Sequence, residues 1–445
     1  MRNEILVLSL IIFSGFGCFA QTVNLEQTRT MALANSRSLA KYNMSIDNSL
    51  RDEKSHLYSM FPSLSANYSA SMSYLDRNWG FVNPVDTLNA GINFEVTQKI
   101  FEGGKSFIRK TLNSITTESV RKGALAEYFS VLASADDAYY AALEAAANLE
   151  AAESSLQTAV LSFSIAEIRY AGGIINLGDY LKTMAEKEAR ENTRNQARRN
   201  LNLCMTKLKT LTGISDAVEL EAIDFGAYDD VMRRMAAISD EEADALYSDL
   251  LKIVMAANPS LARSALNSKR AEKNLSIARR DYSPTISVTV FSNNLLYTAA
   301  DGLSNTPSGG VSIRGSIPID FWVFANRVKK SKIARDSAAL DYLDAVGVLE
   351  IETQNALLNV LSYAESVLSS RRSLEYTEKH FEFVMERYRL SVGSVSDVEE
   401  ASSLLITSRN NLSRSSFGFL QSLSRLNSLG ALDDEEKLLG LLRGN

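Results

Sequence analysis

The chain has 445 residues, of which 45% are apolar and 22% charged, and its net charge is −6. That balance excludes a polytopic helical membrane protein, a disordered chain and a basic nucleic-acid binder. Two histidines and two cysteines argue against a zinc centre, a disulfide framework and histidine-based catalysis.

Residues 1–20 read as a secretory signal peptide. Arg2 supplies the positive start, and the apolar run Ile5 to Phe13 is too short to span as a helix. Cys18 to Ala20 precede the cleavage point at Gln21. Lipidation of Cys18 stays open, although Gly15-Phe16-Gly17 lacks the usual upstream aliphatic residue. Without Cys18, Cys204 is alone, so packing and not a disulfide has to stabilise the exported chain.

Six prolines mark the organisation, with none between Pro84 and Pro259 and none after Pro318. Two long tracts are thus free of the strongest helix breaker. The chain also repeats itself. Ser38-Leu39-Ala40 recurs as Ser260-Leu261-Ala262, and Pro62-Ser63-Leu64-Ser65 as Pro284-Thr285-Ile286-Ser287. Arg169-Tyr170 with Asp179 recurs as Arg387-Tyr388 with Asp397. The pattern predicts one unit over 21–213, an acidic connector over 214–246, a second unit over 247–430 and a tail over 431–445.

Each unit opens with a helix and then a β-hairpin, at 63–100 and 285–320. In the first hairpin Leu64, Ala66 and Tyr68 alternate with Ser65, Asn67 and Ser69, and Leu88 to Val96 alternate in the same way. In the second, Ile286, Val288 and Val290 alternate, then Val311 and Ile313. Turn-rich loops separate the strands, one containing Asp76, Asn78, Trp79, Gly80, Asn83 and Pro84, the other running from Asn293 to Gly310. Strands of about ten residues with one apolar and one small polar face suit a membrane barrel. A soluble sandwich with one wet face is the rival reading. Four strands cannot close a barrel, for which about eight is the minimum, so several chains would have to share one.

Beyond each hairpin a helix of coiled-coil length is expected, from about Gly103 to Ala166 and from about Asn326 to Arg389. Each ends in a tight turn, at 170–179 and 388–397, and returns as a second helix. Apolar Ile174, Ile175, Leu177, Val392 and Val395 stand at tips that should be wet, which marks them as partner contacts. Two decoys are set aside. Gly104-Lys105-Ser106 lacks the first glycine of a phosphate loop, where Lys99 stands, and His56 and His380 have no metal-ligand spacing.

With these residues assembled, the sequence resembles the TolC-type outer membrane efflux family. The carriers are the tandem repeat, Asn258-Pro259-Ser260-Leu261 at a helix start, the Pro-Ser-Leu-Ser strand entry, Phe101 to Lys105 after the second strand, and Tyr-x8-Asp at both tips. The resemblance implies a mixed fold, mostly α: long helical hairpins forming a tunnel, and four strands per chain in a twelve-stranded barrel shared by a homotrimer. It implies an outer-membrane exit duct in a Gram-negative bacterium, with the tunnel in the periplasm and in contact with outer-membrane lipid. Its partners would be a periplasmic adaptor and an inner-membrane transporter of RND, ABC or MFS type. No enzyme activity, cofactor, metal or nucleic acid is implied. The alternative is an exported trimeric coiled-coil protein, structural or adhesive, that conducts nothing.

Site residues follow from the same resemblance. Tyr388 and Asp397 match the family's gate tyrosine and aspartate, Glu400 stands for a second gate carboxylate, and Tyr170 and Asp179 are the first-unit equivalents. Lys182 occupies the first-unit place of Glu400, which suggests a pair with Glu400 or Asp397, and Gly393 removes an arginine that some members use. The adaptor would meet the tips at Gly172, Gly173, Ile174, Ile175, Leu177, Ser391, Val392, Gly393, Ser394 and Val395. Gly103 and Gly104, with Ala325 and Asn326 in the weaker second copy, would turn the chain from barrel to tunnel.

Overall fold

The computed structural model describes residues 21–75, 85–215, 218–293, 308–390, 392–432 and 435–443. The signal peptide with Cys18, the first strand loop with Trp79, residues 294–307 of the second loop, and Ser391 lie outside the described residues.

The first half runs β1 (Gln21–Val23), α1 (Leu25–Asn35), α2 (Arg37–Tyr58), β2 (Ser63–Leu75), β3 (Val85–Glu102), α3 (Lys105–Ala171) and α4 (Leu177–Thr212). A connecting stretch holds β4 (Val218–Leu220), a 3-10 turn at Phe225–Tyr228, α5 (Asp229–Ala237) and α6 (Asp240–Ala257). The second half runs α7 (Pro259–Arg279), β5 (Thr285–Asn293), β6 (Ser308–Ser316), α8 (Phe321–Arg389) and α9 (Val395–Gly430), with α10 (Glu435–Arg443) at the end. The expected boundary at 247 falls inside α6, because a capping box at Ser239 starts that helix and nothing breaks it before Pro259.

Helices α3 and α8 have 67 and 69 residues, roughly 100 Å each. The helices that return from the tips, α4 and α9, have 36 each. Neither long helix contains a proline, and each ends where the chain must reverse.

The four long strands form one antiparallel sheet in the order β2-β3-β5-β6. Its register sorts the side chains into rows. Leu64, Val96, Val290 and Val311 stand opposite one another across all four strands. The adjacent row is Ser63, Thr97, Thr289 and Ser312, with Thr97 Oγ1 2.9 Å from Thr289 Oγ1. One face is therefore mostly apolar and the other mostly polar, the second also carrying Glu95, Lys99 and Arg314 with Phe291 as an apolar exception. A bulge between Lys99 and Phe101 skips Ile100 and brings Phe101 opposite Ile286, back onto the apolar face at the end of the strand. Among the described residues no helix is long and apolar enough to cross a membrane.

The helices follow the strands. On the sheet side α2 packs on α3, α3 on α7, and α7 on α8, while on the tip side α4 packs on α3, α3 on α9, and α9 on α8. Sheet and bundle thus share one order and leave matching flanks open: β2 with α2 on one side, β6 with α8 on the other. Large apolar side chains lie exposed along α8, including Ile333, Leu340, Leu343 and Ile351.

The main core lies where the connecting stretch wraps the long helices. Met232 and Met235 of α5 pack with Leu357 and Val360 of α8, Phe419 and Leu420 of α9, and Leu438 of α10. Around it, β1 pairs in parallel with β4. The buried Tyr139 hydroxyl lies 2.8 Å from the Glu221 carbonyl and 3.3 Å from that of Val23, and burial pushes its pKa up to about 12. Arg29 of α1 donates to both oxygens of buried Asp136 on α3, at 2.6 and 2.7 Å. These bonds fasten the collar to the helices.

At the junction below the sheet, Gly103 and Gly104 have φ of +65° and +72°, and a Cβ on Gly103 would lie 2.5 Å from Ser283 Cβ. The second copy turns differently. Ile317 to Asp320 make the turn with Pro318, and α8 begins at Phe321, so Ala325 and Asn326 already lie inside the helix. Gly103→Ala is expected to cost about 2 kcal/mol through strain and overlap. Ala325→Gly should cost only the helix-propensity difference of about 1 kcal/mol. Thermal melting of the two variants in detergent checks that order.

Candidate gate at the helical tips

Both tips are built by local hydrogen bonding. After α3, Gly173 takes φ +71°, and the Ile174 N–H reaches back to the Arg169 carbonyl at 2.8 Å. Asn176 then caps α4 by accepting from the Asp179 N–H at 2.8 Å. After α8, the N–H groups of Val392 and Gly393 both reach the Arg387 carbonyl, at 2.9 and 3.1 Å. Ser394 and Asp397 form a reciprocal capping box at the start of α9, with both bonds 3.2 Å. Hydrogen bonding from the Ser394 backbone N–H, and from its side chain, holds the Asp397 carboxyl below its ordinary range.

The two hairpins are tied across their interface near these turns. Tyr388 is fully buried in a small cluster with Val384, Met385, Val395, Val398 and Ala401. The Arg169 guanidinium lies 4.4 Å from its ring centroid and donates to its carbonyl oxygen. The Tyr388 hydroxyl donates to the Ser162 carbonyl at 3.4 Å. Burial pushes the Tyr388 phenol up, and the Arg169 charge partly opposes that.

Lys182 makes the second tie. Its Nζ lies 2.7 Å from Glu399 Oε2 and 2.8 Å from Ser396 Oγ. The sequence pointed to Glu400 or Asp397 as the partner, and the structure corrects this to Glu399. Val395, Val398 and Ser402 turn the buried face of α9 toward α3, and Glu399 lies at the edge of that face. Asp397 and Glu400 share the exposed side. The Glu399 hydrogen bond pushes the Lys182 ammonium up.

The two tips are not chemically equivalent. Tyr170 is 41% exposed and stacks on Tyr180, with centroids 5.0 Å apart and planes 14° apart. It takes no part in the Tyr388 cluster. Half-buried Asp179 stays in the first turn of α4. Of the tip residues, Gly172, Gly173, Ile174, Leu177, Val392 and Ser394 are exposed, and Ile175 and Gly393 are half-buried. Val395 is buried in the Tyr388 cluster, so it belongs to the packing beneath the tip and not to its surface.

Sequence reasoning missed Arg169 and Glu399. The signal for Arg169 was the Arg-Tyr pair present at both tips. Nothing in the local sequence separates Glu399 from Glu400, because only the helix phase against α3 does so.

Paired helical hairpins are thus capped by a small sheet with one mostly apolar and one mostly polar face, with polar ties at the far tips. The family model described as outer membrane efflux protein matches residues 29–214 and 250–430. The chain belongs to that family, whose members are passive outer-membrane channels and not enzymes. It resides in the outer membrane of a Gram-negative bacterium, with the helices on the periplasmic side. The fold is similar to the CmeC outer membrane channel of Campylobacter jejuni, with a TM-score of 0.76 at 15% identity over 94% of this chain and 89% of that one. CusC gives 0.76 at 15% identity over 94% and 95%. The outer membrane protein VceC of Vibrio cholerae gives 0.72 at 15% over 91% and 96%. No curated protein is a significant sequence match.

The titrations set a pH window. Asp397 has its folded pKa lowered below 3.8, so its contribution is present above that value and is lost as pH falls through the folded pKa. Lys182 has its folded pKa raised above 10.5, so its contribution is present below that value and is lost as pH rises through the folded pKa. Any rise in basal single-channel conductance from loss of these two contacts is therefore expected only below pH 3.8 and above pH 10.5. A bilayer recording across pH checks this.

Proposed function

We propose that three copies of this chain form an exit duct closed at its helical tips, serving a tripartite efflux or secretion machine. The observation that carries the reading is the common order of strands and helices with matching open flanks. In hydrocarbon the free edges of β2 and β6 leave backbone groups without partners, and head-to-tail addition of copies pairs them. Three copies of four strands make a twelve-stranded barrel, lipid against the valine row and water against the hydroxyl row. The apolar face of α8 then meets α2 or α4 of the next copy.

A periplasmic adaptor, linked to an inner-membrane transporter of the RND, ABC or MFS class, docks at the exposed tip residues. The gate is held by Arg169–Tyr388 and Lys182–Glu399, which join the two hairpins of one chain. Asp397, Glu400 and Asp179 line the tips as carboxylates, threefold repeated. A purely structural coiled-coil protein would have no use for a sheet with one lipid-suited face.

Two measurements test this. Light scattering of the detergent-extracted protein should give a trimer, and a monomer would end the reading. Arg169→Ala should raise basal conductance about 5- to 30-fold, as loss of about 1–2 kcal/mol of closing energy requires, and Lys182→Ala should raise it by less, because that pair is solvent-screened. Exchanging the charges in Lys182→Glu with Glu399→Lys should restore much of the closure. At the tips, Ile174→Asp with Val392→Asp should abolish efflux in cells while leaving the trimer and its basal conductance intact.

A further inference from the structure

Beneath Tyr388 a cavity of about 20 Å³ lies between α3, α4, α8 and α9. One water needs roughly 10–15 Å³. Two residues that line it each carry a buried oxygen with no hydrogen-bond partner among the described residues: Ser162 of α3, through Oγ, and Glu399 of α9, through Oε1. They belong to opposite hairpins. Ser162 is only 9% exposed, and its carbonyl is already taken by the Tyr388 hydroxyl. Glu399 gives its other oxygen to Lys182. A buried hydroxyl and a buried carboxylate oxygen both left unmet would be strongly unfavourable.

The surroundings decide what fills the space. A cation would sit near Lys182, bound to the same Glu399 carboxylate, and near Arg190, which lines the cavity beside its partner Glu186. Both neighbours repel it. A water suits every group: it accepts from the Ser162 hydroxyl and donates to Glu399 Oε1. Ser155, one heptad earlier on α3, has the same character. It is 5% exposed, its Oγ has no partner among the described residues, and it lines a groove of about 340 Å³ between α3 and α9.

We propose that the cavity under Tyr388 is a structural water site and that its water bridges Ser162 to Glu399, a third tie holding the two hairpins together. The consequence for opening rests on the gating reading above, whereas the site itself does not. Ser162→Ala removes the hydroxyl but keeps room for a water on Glu399. Ser162→Val removes the hydroxyl and fills the room, leaving Glu399 Oε1 unmet.

The test is a high-resolution structure of the wild-type protein and both variants in the assembled form, with bilayer recordings of each. A solvent peak between Ser162 Oγ and Glu399 Oε1 is expected in the wild type and lost in Ser162→Val. Basal conductance should rise about fivefold in Ser162→Val and less in Ser162→Ala. No peak, in a map that shows other buried waters, overturns the site. A peak with Ser162→Val conducting like the wild type overturns the tie. A peak with Lys182→Ala also conducting like the wild type supports the water site and removes the gating reading instead. Melting and subunit count of each variant confirm that the protein compared is folded.

Discussion

The unpaired edges of the four-stranded sheet constrain everything else. Inside a bilayer each free N–H and C=O must find a partner, because no water is there to supply one. β2 and β6 present such edges, and a sheet of four strands is too narrow to meet itself. The helices obey the same constraint at second hand. They leave the strands in the strands' own order, so whatever closes the sheet also sets which helix faces meet. Exposed Ile333, Leu340 and Leu343 on α8 are then the helical counterpart of the open β6 edge.

The far end follows a different logic. The collar is fastened by a large apolar core and a half-buried ion pair, Arg29 with the buried Asp136. At the tips the apolar cluster is small, and the contacts between hairpins are polar and few. A polar tie can be exchanged for water at modest net expense, because each group regains hydrogen bonds on separating. An apolar interface of equal strength would expose its whole area at once. A collar with an apolar core and tips joined by polar ties fits the proposed duct, in which the wall stays intact while its end opens.

The internal repeat does not make the two halves interchangeable. The same Arg-Tyr dipeptide ends α3 and α8, yet it is Arg169 from the first copy that covers Tyr388 from the second. Tyr170 instead faces outward onto Tyr180. Duplication supplied similar elements, and packing one hairpin against the other gave them separate tasks.

Much of this was legible in the residues. Alternation of Leu64 to Tyr68 against serines and asparagine announced two-faced strands, because strand side chains alternate with period two. Proline-free tracts announced α3 and α8, and the glycines and capping residues placed both tips. Short-range physics is enough for such features. The partner of Lys182 was not legible, since Glu399, Glu400 and Asp397 differ only in helix phase against a chain segment some two hundred residues away. Nor was the burial of Val395, or the start of α8 ahead of Ala325. The sequence by itself determined the elements, their lengths and the chemistry of their faces, which depend on neighbours along the chain. Only the tertiary structure decided which residues meet across the hairpins, because that depends on how two long helices are rotated against each other.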